Sequence, residues 1–124
     1  MKSLLAAASM SMLTLGCSPE PPALNLSDYI TGLDKPWDVT WTPDGYMLFT
    51  ENDTGNVWAA VGQSAAPIHT VSDLNSSGEG GLMGIALSPN FRADRYVFLC
   101  YTSTTPDIRI VRYQANQGLT GCRL

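Results

Sequence analysis

The chain has 124 residues, which is enough for one small domain and too few for most enzymes built from two or more complete layers. Its formal net charge is -4, and 15% of its residues are charged while 44% are hydrophobic. This is an ordinary globular composition without the basic stripe that nucleic-acid binding requires, so we expect no nucleic-acid partner.

Residues 1–17 have the organisation of an export signal. Lys2 supplies a positive start, an apolar run covers residues 4–15, and Gly16-Cys17 precedes a polar, proline-rich stretch. The run is too short to span a bilayer comfortably. A small residue directly before Cys17 resembles the lipobox of bacterial lipoproteins, in which the cysteine is acylated and becomes the mature N-terminus. An ordinary secretory signal with an unmodified Cys17 and an uncleaved anchor are the alternatives.

All three interpretations of residues 1–17 imply that the chain is exported, so we expect a periplasmic or outer-membrane-anchored protein. Lipid on Cys17 would be its membrane attachment. Residues 18–31 are predicted to be a linker with a first outer strand, for which residues 24–33 are the candidate segment.

Four short strands joined by tight turns are predicted next, as an antiparallel sheet over about residues 36–72. The candidate strands begin at residues 36, 46, 56 and 67. Trp37, Val39 and Trp41 alternate with polar residues, which places them on one face of the first strand. We expect Trp37, Trp41 and Trp58 to be core residues, with a sugar-stacking platform as the alternative.

The strand pattern then restarts. Pro43 and Pro89 lie 46 positions apart, within the period of about 40 to 50 residues that is typical of four-stranded propeller blades. Strands are predicted over residues 82–87, 96–102 and 108–113, with no fourth strand and no helix after the signal. The fold class is therefore all-β: residues 32–124 form part of a β-propeller, with an incomplete second blade over about residues 80–114.

A glycine-rich segment, "GEGGLMGIALSPNF" at residues 78–91, places Glu79 between glycines at the start of the second blade. Glycine allows positive φ and removes side chains that would block a ligand, and a carboxylate accepts hydrogen bonds from sugar hydroxyls. The alternative is that Glu79 is a solvated loop residue and the glycines are ordinary turn residues.

The ordered set of these signals resembles the N-terminal part of the soluble quinoprotein sugar dehydrogenases of the glucose/sorbosone dehydrogenase type. The resemblance rests on "GLDKPWDV", the Pro-Asp-Gly turn, "FTE" followed by "GNV", and the glycine-rich segment with "YVFLCYT" after it. It covers about Gly32 to Tyr113. It implies a six-bladed β-propeller that uses pyrroloquinoline quinone (PQQ) and calcium, and it implies that Glu79, with Gly80 beside it, contacts bound sugar.

The resemblance also implies that the catalytic base is a histidine in an Asp-His-x-x-Gly-Arg segment, which these 124 residues do not contain. His69 does not match that position, and we expect it to be a surface or hydrogen-bonded structural histidine. The ligands of PQQ and calcium lie beyond the matched segment. A calcium site made by Asp53, Asp73 and Glu79 is an alternative, but scattered acidic residues are usually solvated.

The remaining cysteines, Cys100 and Cys122, could form a disulfide; the simpler interpretation is a buried apolar Cys100 and a free Cys122.

Two functions follow from the sequence. The first is the N-terminal part of an exported PQQ-dependent aldose dehydrogenase that oxidises sugars at C1, inactive as an isolated chain because the catalytic histidine and the quinone ligands are missing. The alternative is a non-enzymatic exported β-module that binds sugar or a protein partner. In either case the sheets need neighbours, either further blades or copies of the same chain.

Overall fold

The computed structural model describes residues 21–123, and for Arg123 it describes the backbone alone. The predicted export signal and the lipidation site Cys17 lie outside the described residues. Within the described range no helix is both long and apolar enough to cross a membrane.

Two four-stranded antiparallel sheets make up the fold, and each is a simple meander in which consecutive strands are neighbours. The first contains β1 (Pro36–Trp41), β2 (Met47–Glu51), β3 (Asn56–Val61) and β4 (Ser64–Thr70). The second contains β5 (Leu82–Leu87), β6 (Tyr96–Thr102), β7 (Ile108–Ala115) and β8 (Cys122–Arg123), with a short helix α1 (Phe91–Asp94) between β5 and β6. The prediction of an all-β fold is confirmed.

Local turn chemistry sets the register of the first sheet. Thr42 and Tyr46 bracket the Pro-Asp-Gly turn: the Thr42 amide donates to the Tyr46 carbonyl at 2.8 Å, and the Gly45 amide donates to the Thr42 carbonyl at 3.0 Å. Gly45 has a φ of 91°, a conformation that glycine adopts without a steric cost. The turn pairs Trp41 with Met47.

The hydrophobic core lies between the two sheets. Its members come from both sheets and include Leu48, Val57, Ile68, Leu82, Leu99 and Tyr113. Polar groups also join the sheets: the Ile85 amide donates to Asp38 Oδ2 at 2.9 Å, and the Leu82 amide donates to the Asn52 carbonyl at 2.9 Å. The sheets are therefore packed face to face, with β1 and β2 beside β5.

The strand expected over residues 24–33 does not form, so that prediction was wrong. Leu24 and Leu26 are 91% and 99% exposed and therefore find no apolar partner. Positive φ angles at Gly32 and Lys35 interrupt an extended backbone just before β1. Regular pairing begins only at Pro36, opposite Glu51.

The large apolar side chains of β1 point away from the core between the two sheets, whereas we predicted that they would form part of a core. Trp37, Val39 and Trp41 are 52%, 45% and 60% exposed, so they do not belong to the core that the described residues form. The reason is that Asp38 must face the second sheet to accept the Ile85 amide, which turns its neighbours outward. Trp58 is half-buried, with its ring parallel to that of Phe49 and the centroids 6.0 Å apart.

The second sheet also contains elements that the sequence did not predict. β8 is a fourth strand of two residues, which pairs Ala115 with Cys122, so the sheet extends beyond residue 114. It is too short to show a period of two. α1 is a single helical turn. Cys100 and Cys122 are free thiols, each partly buried, and no disulfide joins them.

Candidate functional site

Four segments meet at one edge of the two sheets, which we call the loop edge: residues 31–35, 52–55, 71–81 and 103–107. Backbone hydrogen bonds hold them together. The Asn75 amide donates to the Thr102 carbonyl at 2.8 Å, and the Thr102 amide donates to the Gly81 carbonyl at 3.1 Å. Leu74 and Ser103 form an isolated antiparallel bridge. The loop that carries Glu79 is thus anchored on both sheets.

Glu79 is exposed at the loop edge. Within residues 21–123 its carboxylate has no hydrogen bond or ion pair with the protein. It follows Gly78, whose φ is 63°, and precedes the partly buried Gly80. The side chain is therefore accessible to a ligand, as the sequence-based interpretation requires, but nothing in the geometry assigns it a role.

At Gly80 and Gly81, neighbouring atoms of the protein itself leave no room for a side chain. A Cβ on Gly80 would lie 2.6 Å from the Asn75 carbonyl oxygen. At Gly81 the φ is 114°, and a Cβ would lie 2.6 Å from both the carbonyl oxygen and Nδ2 of Asn52. These glycines allow the loop to close onto its supports, and a contribution of Gly80 to sugar binding stays a prediction.

Asn52 is a buried polar residue that the sequence analysis did not single out. Its exposure is 0%. Its amide donates to the Lys35 carbonyl at 3.0 Å, its carbonyl accepts the Leu82 amide at 2.9 Å, and its Nδ2 donates to the Leu82 carbonyl at 3.4 Å. Asn52 therefore ties the end of β2 to the start of β5, directly beneath the loop of Glu79. The sequence signal that could have indicated this buried role is the position of the asparagine directly after β2.

Glu51 is also buried, and it organises the start of the loop edge. It accepts hydrogen bonds from the Asp34 amide at 2.9 Å, from the Thr54 hydroxyl at 2.9 Å and from Asn56 Nδ2 at 3.2 Å. Burial acts to raise the pKa of Glu51, but these donors outweigh it and hold the pKa below its ordinary value. Glu51 is thus an ionised structural carboxylate rather than a general acid.

A second polar cluster surrounds Arg109 at the same edge. Arg109 Nη1 lies 3.0 Å from Asp73 Oδ2, and Arg109 Nη2 lies 2.8 Å from Asp107 Oδ1. The Tyr101 hydroxyl donates to Asp73 Oδ1 at 2.9 Å, and the Ser103 hydroxyl donates to Asp107. Hydrogen bonds from Arg109 and Ser103 lower the pKa of Asp107, while burial and the bond to Asp73 raise that of Tyr101. Arg109 therefore neutralises only one of the two carboxylates, and the cluster keeps a net negative charge.

Among the described residues, the loop edge does not fit calcium or PQQ. No group of three or more His, Cys, Asp or Glu side chains in residues 21–123 could hold a metal ion, so Asp53, Asp73 and Glu79 do not gather as a calcium site. PQQ carries carboxylates and needs free cations, but Lys35 at the loop edge is paired with Asp53 at 2.9 Å and Arg109 is paired as described above. We derive no chemistry through either group in this part of the chain.

His69 is partly buried, and its side chain has no hydrogen bond among the described residues. Its Nε2 is buried and has no partner in the described range, and its ring packs against Tyr113 with the centroids 4.5 Å apart. Burial lowers the pKa of His69 because the charged form would lose its hydration. No described carboxylate orients the ring, so the geometry of a catalytic base is absent around His69.

The sequence model of the glucose/sorbosone dehydrogenase family matches residues 33–121. The chain belongs to this family. The match includes β1 to β7 of the two sheets, which are two neighbouring blades of a β-propeller with the loop edge at the junction between them.

Individual relatives agree with this assignment. The chain is 29% identical over 89 residues to an aldose sugar dehydrogenase of Escherichia coli, covering 70% of this chain and 24% of the relative. It is 28% identical over 82 residues to quinoprotein glucose dehydrogenase B of Acinetobacter calcoaceticus, covering 62% of this chain and 17% of the relative. The chain thus spans a quarter or less of the length of these two proteins.

The fold is similar to a solved structure of the PQQ-bound aldose sugar dehydrogenase of Streptomyces coelicolor. The TM-score is 0.70 and the sequence identity is 34%, over 75% of this chain and 28% of that one. The apo-form of the soluble aldose sugar dehydrogenase of Escherichia coli gives a TM-score of 0.59 at 27% identity. The correspondence again involves about a quarter of each structure.

Proposed function

We propose that this chain supplies the first two blades of an exported PQQ-dependent aldose dehydrogenase, which oxidises sugars at C1. The observation that carries the proposal is the family match over residues 33–121, which includes the loop edge. The relatives named above include an aldose sugar dehydrogenase and a quinoprotein glucose dehydrogenase. PQQ and calcium enter as family expectations, and their ligands are sought outside the described residues.

Within this function, Glu79 is proposed to bind the sugar. Its carboxylate is exposed and has no partner among the described residues, so it can accept hydrogen bonds from sugar hydroxyls without first breaking an internal one. The loop beneath it is held by Asn52 and Asn75, which limits the conformational entropy that binding must overcome. Gly80, next to Glu79, lets the loop backbone lie against the Asn75 carbonyl.

The described residues supply no catalytic base. The His69 ring packs against Tyr113 with no carboxylate beside it in the described range, and Glu51 is held ionised by its hydrogen-bond donors. We therefore expect the 124-residue chain alone, supplied with PQQ and calcium, to show no sugar-dependent dye reduction. The activity belongs to a polypeptide or assembly that contains further blades.

Export and acylation at Cys17 are part of the same proposal and rest on residues 1–17 of the sequence. Mass spectrometry of the mature N-terminus tests them. A diacylglyceryl group on Cys17 supports a lipoprotein, whereas cleavage after another residue or an intact N-terminus contradicts it.

The test of the sugar-binding role uses the complete protein that the proposal expects, with the further blades present, loaded with PQQ and calcium. We call this protein the full-length gene product. We expect Glu79→Ala to raise KM for glucose about tenfold, the cost of one charge-assisted hydrogen bond, with a smaller change in kcat. Ser76→Ala is the matched control, because Ser76 is an exposed residue of the same loop. Steady-state dye-reduction kinetics measure both variants.

Unchanged kinetics in Glu79→Ala would remove Glu79 from the sugar site and leave the enzyme assignment intact. No sugar-dependent activity in the loaded wild-type protein, towards any aldose tested, would overturn the assignment itself. In that case the non-enzymatic β-module becomes the better hypothesis, and the exposed apolar side chains on both outer sheet faces favour it.

A further inference from the structure

A second candidate site lies at the end of the sheets opposite the loop edge. It is a cavity of about 500 Å³ formed by the end of α1, the end of β7 and the segment that leads into β8. Its walls include Arg95, Gln114, Asn116, Gln117 and Cys122. β6 separates it from the loop edge by about 20 Å, at a rise of about 3.3 Å per residue.

Arg95 is fixed in the wall of this cavity by its backbone. It ends α1 with a φ of 58°, and its amide donates to the Phe91 carbonyl at 3.0 Å. Its carbonyl accepts the Ala115 amide at 2.9 Å, which ties it to β7. The guanidinium carbon lies 4.3 Å from the centre of the Phe91 ring, and only 7% of the side chain is exposed.

The buried guanidinium has more donors than the described residues satisfy. Nη1 lies 3.4 Å from Asp44 Oδ2, a long contact to a carboxylate that is itself 39% exposed. Nη2 donates to the Asn116 carbonyl at 3.2 Å, and Nε is buried with no partner in the described part of the chain. A buried cation with unused donors is costly unless an acceptor is supplied.

The cavity wall offers no compensating charge. None of its lining residues is acidic. Cys122 stays a neutral thiol, because burial raises its pKa to about 11. The nearest acidic residue of α1, Asp94, already accepts the Ser88 hydroxyl at 2.6 Å and the Tyr96 amide at 2.9 Å. Among the described residues, the positive charge of Arg95 is therefore balanced only by the 3.4 Å contact with Asp44, which is not part of the cavity wall.

We propose that this cavity binds a small carboxylate anion on the guanidinium of Arg95. A planar carboxylate matches the planar fork of arginine donors and would occupy the unused Nε donor. The exposed amide of Gln117 is placed to donate a further hydrogen bond, and the methyl groups of Ala93 and Ala115 suit a short apolar tail. The site does not depend on sugar dehydrogenase activity.

Acetate is the probe for this site, measured by saturation-transfer NMR on the full-length gene product at constant ionic strength with chloride as the replacement ion. We expect binding in the wild-type protein and in Arg92→Gln, a matched control because Arg92 lies on the same helix but contacts only the Pro43 carbonyl at the surface. Arg95→Gln should weaken acetate binding by at least about tenfold.

Two further variants keep the test independent of whether Arg95→Gln folds. Ala93→Leu narrows the cavity from an exposed helical position and should abolish binding without touching the hydrogen bonds of Arg95. Asp44→Asn removes the competing carboxylate and should tighten binding several-fold. Absence of acetate binding in the wild type, or equal binding in Ala93→Leu, would overturn the site. Tighter binding of inorganic phosphate than of acetate would overturn its assignment to a carboxylate.

Discussion

At the scale of single residues, the loop edge depends on two buried polar residues, one at the end of β2 and one directly after it. Glu51 is 3% exposed and Asn52 is fully buried, which is unusual for polar side chains without a structural task. Both are committed to internal hydrogen bonds: Glu51 to residues 34, 54 and 56, and Asn52 to the start of β5. They shape the site without being available to a substrate.

We predict that the contribution of Glu51 to stability depends on pH. Its folded-state pKa lies below the ordinary value of 4.5, so the stabilisation is fully present above that value and is lost as the pH falls through the folded-state pKa. Glu51→Gln should therefore lower the free energy of unfolding by about 1–3 kcal/mol at pH 7. The difference from wild type should shrink below the ordinary pKa.

Urea denaturation of the full-length gene product between pH 3 and pH 7 measures this difference. Asp53→Asn is the control: Asp53 is an exposed carboxylate in a surface ion pair with Lys35, and its loss should cost less than about 1 kcal/mol. A penalty for Glu51→Gln that is equally large at both ends of the pH range would show that the charge of Glu51 is not what stabilises the fold.

At the scale of elements, the junction between the loop of Glu79 and β5 leaves little room for a side chain. Gly81 has a positive φ and lies against Asn52, so a methyl group there meets both strain and a direct clash. We predict that Gly81→Ala lowers the free energy of unfolding by about 2 kcal/mol or more. The loop should also lose its fixed position over β2.

Gly62→Ala is the matched control for this prediction. Gly62 also has a positive φ, 57°, but a Cβ there would meet nothing within 4 Å. Chemical denaturation of both variants separates the clash at Gly81 from the backbone strain that the two positions share. Equal destabilisation in the two variants would mean that the contact with Asn52 contributes nothing.

At the scale of the whole molecule, each blade exposes one apolar face that no other segment in residues 21–123 covers. The first blade exposes Trp37, Val39 and Trp41, and the second exposes Ile108 and Ile110 at 69% and 73%. Apolar patches of this kind mark interaction surfaces, and in a propeller each blade face packs against the next blade. The two-blade chain therefore has an exposed apolar surface on each of its two outer faces.

We predict that the isolated 124-residue chain self-associates through these faces. Trp41→Glu combined with Ile110→Lys should shift it towards the monomer, whereas the control Asp28→Glu combined with Ser72→Thr, which changes exposed polar positions, should not. Sedimentation velocity measures the distribution. A wild-type monomer with a sharp cooperative melt would contradict the prediction, and a discrete oligomer would support the alternative of an assembling β-module.

Period-two alternation and turn chemistry determined the strands that the sequence predicted well. Residues 56–61 and 96–102 were predicted as strands and correspond to β3 and β6, because side-chain alternation and turn residues are local properties of the chain. The order of turns and strands was also sufficient to indicate the family.

Only the tertiary structure decided which face of each strand is buried and which neighbouring groups require glycine at positions 80 and 81. The outward orientation of Trp37 and Trp41 follows from the Asp38–Ile85 hydrogen bond, which joins residues 47 positions apart. Gly81 is required by Asn52, and the burial of Arg95 depends on Asn116 and Asp44. Such constraints arise when segments far apart in the sequence pack together. A local pattern of residue types therefore cannot predict them.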